Sequence, residues 1–254
     1  MATRGLNSAC ILLFHGLLDA GENGGRFALP ARRFSRWLRR LRAAGQSCPA
    51  LPAWWAHPAP GGLQAVLAFD DGGESDFRLA FPRLLEAGLS AVFFINTARV
   101  GAPGCLSWNQ IREMRRAGMS FQSHGHDHVA LTRLDAAELD AQLRRSRQCL
   151  EDRLGEAVEF LAAPYGCWNQ RVQAAALRAG YRALCTSQAG LAQPGSALLP
   201  RNAVRRYTSD LGFWALLRGS SGYLAMRRLR SALLAVPRQW LLRGSAIHAP
   251  GPEL

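Results

Sequence analysis

The strongest constraint on this chain is an alternation of short apolar runs with helix-length amphipathic runs. Residues 9–14, 64–69, 90–95, 119–123, 158–161 and 182–186 are apolar and of strand length. Between them lie segments with helical spacing at 34–41, 77–87, from 107, at 135–154 and at 170–179. Ser107 and Asp135 stand where N-caps belong, and Gly118, Gly155 and Gly180 where helices stop. Such alternation predicts βα units around a parallel sheet, with functional groups gathered at the C-terminal ends of the strands. Residues 48–62, rich in Pro, Ala and Trp, read as a loop whose Trp54 and Trp55 either pack or line a sugar site.

One strand end carries unusual chemistry. The run at 64–69 terminates in Asp70-Asp71-Gly72-Gly73. Neighbouring side chains at a strand end point in different directions, so one aspartate can ligate a metal while the other moves a proton. A turn with two solvated acids is the plainer reading of this stretch alone. Downstream, Ser120-Phe121-Gln122-Ser123-His124-Gly125-His126-Asp127-His128 brings three of the chain's six histidines within five residues. On a helical turn His124 and His128 share a face and suit a divalent metal. Imidazole with carboxylate fits Zn²⁺, with Fe²⁺, Co²⁺ or Ni²⁺ as alternatives. In an extended segment His124, His126 and His128 share a face instead, and both arrangements remain open on sequence alone.

These stretches resemble the polysaccharide deacetylases of the NodB-homology type. Ala68-Phe69-Asp70-Asp71-Gly72 matches their first motif, His124-Gly125-His126-Asp127-His128 their second, and Phe160-Leu161-Ala162-Ala163-Pro164-Tyr165-Gly166 their third. The resemblance runs from about Ile11 to about Val204. It implies a distorted (β/α)7-type barrel of the NodB-homology kind over 1–207; beyond it, the intermixed Leu, Trp and Arg of residues 211–242 read as a basic amphipathic helical extension with a tail, over 208–254, lying on the domain or on a membrane surface. The resemblance also implies a metal held by Asp71, His124 and His128, with Asp70 as general base. The family's Leu-x-x-His general acid, found at the N-terminus in a permuted branch, matches Leu12-Leu13-Phe14-His15; the rival is His248, which lacks the Leu. Pro164, Tyr165 and Gly166 become substrate-binding candidates, with a backbone N–H near Tyr165 for the oxyanion. Trp168 either stacks on sugar or packs. Ala162 stands where many members carry an arginine that orients the catalytic aspartate; Arg201, in Pro200-Arg201-Asn202, is the candidate substitute at the substrate site. Ala68 replaces a Thr, and Gly125 a Ser or Thr whose hydroxyl would brace the loop.

The implied activity is metal-dependent removal of an N-acetyl or other N-acyl group from an amino sugar. The alternatives are an inactive carbohydrate-binding protein on the same fold and a deformylase acting on a lipid-linked sugar. Charge bears on the partner: net +13, with 31 basic residues against 18 acidic, and every base is arginine. That excess implies an anionic neighbour, a membrane surface or a sugar phosphate, or an arginine-rich proteome. No nucleic-acid-binding motif is present. Six scattered cysteines without a Cys-x-x-Cys pair, and no secretory pattern at the start, lead to the expectation of a cytoplasmic protein, with the inner membrane face as an extension of it.

Overall fold

The computed structural model describes residues 7–60 and 62–230. Seven parallel strands close into a barrel: β1 (Ala9–Phe14), β4 (Gln64–Phe69), β5 (Val92–Ile95), β6 (Ser120–Ser123), β7 (Phe160–Ala162), β8 (Ala183–Thr186) and β9 (Leu198–Ala203), with β9 returning to β1. Closure leaves no unpaired sheet edge. A two-stranded parallel pair, β2 (Gly16–Leu18) and β3 (Ala28–Pro30), sits beside it. Helices α1 (Ala31–Ala43), α2 (Leu51–Ala56), α3 (Phe81–Ala87), α4 (Trp108–Arg116), α5 (Ala136–Leu154), α6 (Gln170–Arg178) and α7 (Asp210–Leu217) complete the chain. The fold is the expected (β/α)7-type barrel.

Side-chain alternation along each strand sorts residues into two cores. Ala9, Ile11, Val66, Ala68, Val92, Phe94, Phe160, Ala162, Ala183, Cys185 and Leu199 fill the barrel interior with Leu51 and Trp54. The residues between them face the surrounding helices. There Phe14, Phe69, Phe93 and Phe121 form a continuous stack across four strands, with centroid spacings of 5.1, 4.9 and 5.6 Å. Such ring pairs contribute about 0.5–1.5 kcal/mol each beyond their buried area.

Four local readings are corrected. The loop at 48–62 contains α2, started by Pro52 in its first turn. Its Trp54 is fully buried in the barrel core, and Trp55 packs on Phe160, the first residue of β7. Both close the N-terminal end of the barrel and line no sugar site. Next, β9 escapes the apolar-run pattern because Pro200, Arg201 and Asn202 interrupt it; Arg201 and Asn202 are nonetheless fully buried. Finally, the helix expected from Phe77 opens as a π-turn over Asp76–Ala80, and Pro82 begins α3. Of the segment from 208 onward, α7 carries no arginine. It packs on α1 through a Trp37–Phe213 stack at 4.1 Å and through Asp210, which accepts from Trp37 Nε1 at 2.9 Å and from Arg36 at 3.0 Å. Residues 221–230 are helical and carry the basic part; His248 lies outside the described residues. Among those described, no helix is long and apolar enough to cross a membrane.

The aromatic stack makes Phe93 the position where truncation removes contacts on two sides. Phe93→Ala is expected to lower unfolding stability by about 3–5 kcal/mol, read from urea denaturation with an unchanged m-value.

Candidate active site

The period-two rule that builds the barrel core also builds the site. Extending the inward series of β4 (Val66, Ala68) by one step points Asp70 over the barrel. The same step from Ile11 and Leu13 carries His15, from Gln122 carries His124, and from Leu199 carries Arg201. Four polar side chains thus converge at the C-terminal mouth from four strands.

Asp70 and Arg201 form the anchor. The Arg201 guanidinium donates from Nη1 to Asp70 Oδ1 at 2.6 Å and from Nη2 to Oδ2 at 2.9 Å, a bidentate fork. Its Nε donates to the Thr186 carbonyl at 3.2 Å, and its face lies 5.0 Å from the Phe94 ring. Arg201 is fully buried, so it positions Asp70 and is not itself a substrate-binding surface. Burial opposes the charge on Asp70, but Arg201, helped by His124 and His15, outweighs it and holds the pKa below the ordinary carboxylate value.

Asp71 goes elsewhere. Its φ of 76° breaks the strand direction, turning its carboxylate away from Arg201. Asp71 Oδ1 lies 3.2 Å from His124 Nε2 and 3.2 Å from His128 Nε2. The three ligand atoms all lie within 4.8 Å of one another. Donor atoms bound to one zinc ion at 2.0–2.2 Å stand about 3.3 Å apart. His124 Nδ1 is 2.9 Å from the Ala162 carbonyl, which must accept its N–H. In its neutral form His124 then turns a bare Nε2 to the Asp71 carboxylate, the form that ligates a cation; with no cation there, Asp70 and Asp71 outweigh burial and raise its pKa, so a proton occupies the same place. The donor chemistry therefore fits a divalent ion.

The histidine segment is neither helical nor extended. His124 follows β6 directly, Gly125 has φ 80° and His128 φ 53°, and the loop so formed brings back His128 while turning His126 away to hydrogen-bond Thr97 Oγ1 at 2.8 Å. His124 and His128 are brought together as expected, but by this loop and by neither a helical turn nor an extended segment. The bracing hydroxyl missing at Gly125 is supplied from both sides. Ser123 Oγ accepts from Gly125 N at 3.1 Å, and Ser146 Oγ donates to its carbonyl at 2.9 Å. Gln142 Oε1 accepts from the His126 and Asp127 amides, at 3.2 and 3.0 Å. Asn96, in the amide orientation that satisfies it, accepts from His128 N at 2.6 Å. Sequence reading missed Ser146, Gln142 and Asn96, since nothing local marks a residue that acts on a loop far along the chain.

The remaining candidates divide. His15 is packed on Phe27 at 4.5 Å between ring centroids, and its Nδ1 is buried with no partner among the described residues. Burial lowers its pKa despite the pull of Asp70 and Asp71. Tyr165, with φ 59°, lies 4.7 Å from the His128 ring and stays 45% exposed, on the rim of the site. Pro164 is buried beneath it, and Gly166 turns at φ 66° where a Cβ would meet Ser187 at 2.8 Å. Trp168 packs against the main core. Asp76, not foreseen, is fully buried with both carboxylate oxygens unpartnered among the described residues. Burial, then the charges of Asp71 and Asp70, push its pKa well above the carboxylate range, so it adds no third negative charge to the site.

A parallel barrel with two imidazoles and a carboxylate at its mouth, and a second carboxylate held apart by arginine, defines a hydrolase of the (β/α)-barrel class. The sequence matches the polysaccharide deacetylase profile over residues 59–184, and the chain belongs to that family. The polysaccharide-deacetylase-like protein YxkH of Bacillus subtilis is 23% identical over 199 residues, covering 77% of this chain and 70% of YxkH. Among solved structures, the deacetylase PplD of Streptococcus pyogenes superposes with a TM-score of 0.77 at 21% identity, covering 83% of this chain and 98% of PplD. IcaB from Ammonifex degensii superposes with a TM-score of 0.73 at 24% identity, covering 84% and 97%. At these identities the two structures establish a shared fold.

Two outcomes follow from the geometry. Arg201→Met leaves Asp70 as a buried, unpaired charge and is expected to cost about 3–5 kcal/mol in urea unfolding; adding Asp70→Asn should return most of that loss. A double variant no more stable than Arg201→Met alone would show that the pair is not what holds this wall. Zn²⁺ added to metal-stripped protein at a hundred times its dissociation constant should raise Tm by roughly 5–10 °C, and His128→Ala should abolish the shift.

Proposed function

We propose that this protein removes an N-acetyl group from an amino sugar of a glycan, using a divalent ion held by Asp71, His124 and His128. The observation that carries the reading is the division of labour between adjacent aspartates: Asp71 Oδ1 is 3.2 Å from both imidazoles, while Asp70 is engaged by Arg201. Family membership supports the reaction class, and the PplD structure was solved in complex with acetate.

An amide is a weak electrophile with a poor leaving group, so its hydrolysis needs three aids. The bound ion supplies Lewis-acid polarisation of the acyl carbonyl and makes water easier to deprotonate. Asp70, ionised at neutral pH and locked in orientation by Arg201, accepts the proton of the attacking water. His15, on the neighbouring strand end, delivers a proton to the departing amine nitrogen. Its burial makes the imidazolium a strong acid once formed, and the two aspartates are the charges that favour its formation. Each proton transfer contributes roughly 10²–10⁴-fold. Tyr165 lies beside His128 on the rim, and on this reading it would contact the acyl group or the sugar.

The intact set of Asp70, Asp71, His124 and His128 favours an enzyme over an inactive binding protein. Acetate release from N-acetylglucosamine oligomers by the Zn²⁺-loaded protein is the direct test. Asp70→Asn is expected to lower kcat by roughly 10²–10⁴-fold while Zn²⁺ binding persists. Formate in place of acetate, measured on N-formylated sugars, would move the reading to a deformylase.

A further inference from the structure

We infer that an arginine and aromatic ladder beside His15 is a subsite for a phosphate group carried by the sugar substrate. This deepens the deacetylase reading and rests on it for the role of His15. The ladder begins at Phe27, whose ring lies 4.5 Å from that of His15. Arg26 stands over Phe27 at 4.8 Å and Arg205 at 5.6 Å. Arg205 also lies 6.0 Å from the Tyr207 ring, and Arg230 5.8 Å from it. Cation and ring therefore alternate from the acid outward: Arg26, Phe27, Arg205, Tyr207, Arg230.

Three features separate this cluster from an ordinary solvated basic face. The first is charge imbalance. Some described arginines meet carboxylates, among them Arg36 and Arg40 on Asp210, Arg78 on Glu22, Arg115 on Glu156 and Arg182 on Glu159; others do not, and here three of the unpaired ones gather on two adjoining rings. Among the described residues, Arg26, Arg205 and Arg230 meet none. Three guanidiniums stacked on rings without a counter-anion repel one another, a cost that an incoming anion offsets. The second is rigidity. The two loops are tied together: Arg206 N donates to the Arg26 carbonyl at 3.0 Å, Arg206 Nη1 to Gly24 at 3.0 Å, and Arg33 Nη1 to the Arg206 carbonyl at 2.7 Å. Thr208 Oγ1 accepts from Arg205 N at 2.9 Å. A site on braced loops loses little entropy on binding. The third is incompleteness: Arg205 Nε is buried without a partner among the described residues, while its Nη1 donates to Tyr207 Oη at 3.2 Å.

Several guanidinium forks in one cluster suit a tetrahedral oxyanion, which accepts from more than one fork; a single carboxylate satisfies only one. Adjacency to His15 places the bound anion close to the scissile amide, so it belongs to the acylated sugar or to its immediate linkage. The chemistry is that of a sugar phosphate or of a phosphate linking the sugar to a lipid.

The test compares the Zn²⁺-loaded full chain on N-acetylglucosamine, N-acetylglucosamine 1-phosphate and an alkyl-phosphate-linked N-acetylglucosamine. We expect kcat/KM for at least one phosphorylated sugar to exceed that for the neutral sugar by about tenfold or more, a gain that falls with ionic strength. Arg26→Gln and Arg205→Gln should each reduce that ratio through KM, whereas Arg144→Gln, on a paired surface arginine of α5, should leave it unchanged. Preference for the soluble phosphate assigns the subsite to a sugar phosphate, and preference for the alkyl-linked one alone to a lipid linkage. Equal kcat/KM for all three, with no effect of Arg26→Gln or Arg205→Gln, overturns the subsite and leaves the deacetylase reading standing. If no acetate appears from any substrate, calorimetry decides independently: tighter binding of N-acetylglucosamine 1-phosphate than of N-acetylglucosamine, weakened by Arg26→Gln, supports the subsite, and equal binding ends it.

Discussion

The buried fork between Arg201 and Asp70 is the constraint on which the site depends. Two aspartates adjacent in sequence have nearly the same reach, and both are within the influence of His124 and His15. Without a competing cation on the barrel side, both carboxylates would turn toward the imidazoles. Arg201 prevents this by taking both Asp70 oxygens at 2.6 and 2.9 Å. A buried ion pair of this kind is a weak source of net stability, since desolvation cancels most of the attraction. What it supplies is direction: one carboxylate faces into the barrel and the other, turned by a left-handed residue, faces the histidines.

The same fork explains how the protein tolerates Ala162. The resemblance places an orienting arginine at that position in many relatives, on a strand across the barrel. Here Ala162 is buried and its backbone carbonyl serves His124 instead. A closed barrel makes the exchange geometrically simple. All inward side chains at the mouth point toward one small space, so a guanidinium from β9 reaches the point that one from β7 would reach. Arg201 needs only the correct parity on its strand.

What was legible in the sequence was whatever is local. Strand and helix alternation, the caps at Ser107 and Asp135, and the stop at Gly155 were read correctly because each depends on neighbours within four residues. Motif resemblance singled out Asp71, His124 and His128, which the structure brings together, but by neither of the two arrangements considered, because the meeting of His124 and His128 depends on Gly125 and on the positive φ of His128. Long-range partners were illegible. Arg201 and Asp70 are 131 positions apart, and Ser146, Gln142 and Asn96 reach the histidine loop from other elements. β9 was hidden because two polar side chains interrupt it, Arg201 facing the site and Asn202 facing outward to Cys10 and Gly190: a strand that buries both cannot also show an apolar run.

The position of His15 follows from the same geometry. In a closed sheet no strand is first. β1 pairs with β4 along its whole length and with β9 over Ile11–Leu13, so a histidine one step past Phe14 enters the mouth between the strand ends that carry Asp70 and Arg201. A histidine on a strand following β9 would have to occupy this same gap. On the proposed reading, chain order changes from an acid that comes last to one that comes first, while the proposed proton donor keeps its place relative to the aspartates. The loop after β1 also becomes free to bring in residues that a C-terminal acid would not carry along with it. Here it brings Phe27 against the imidazole and Arg26 over Phe27, which joins the charge of the barrel rim to the residue assigned the last proton transfer.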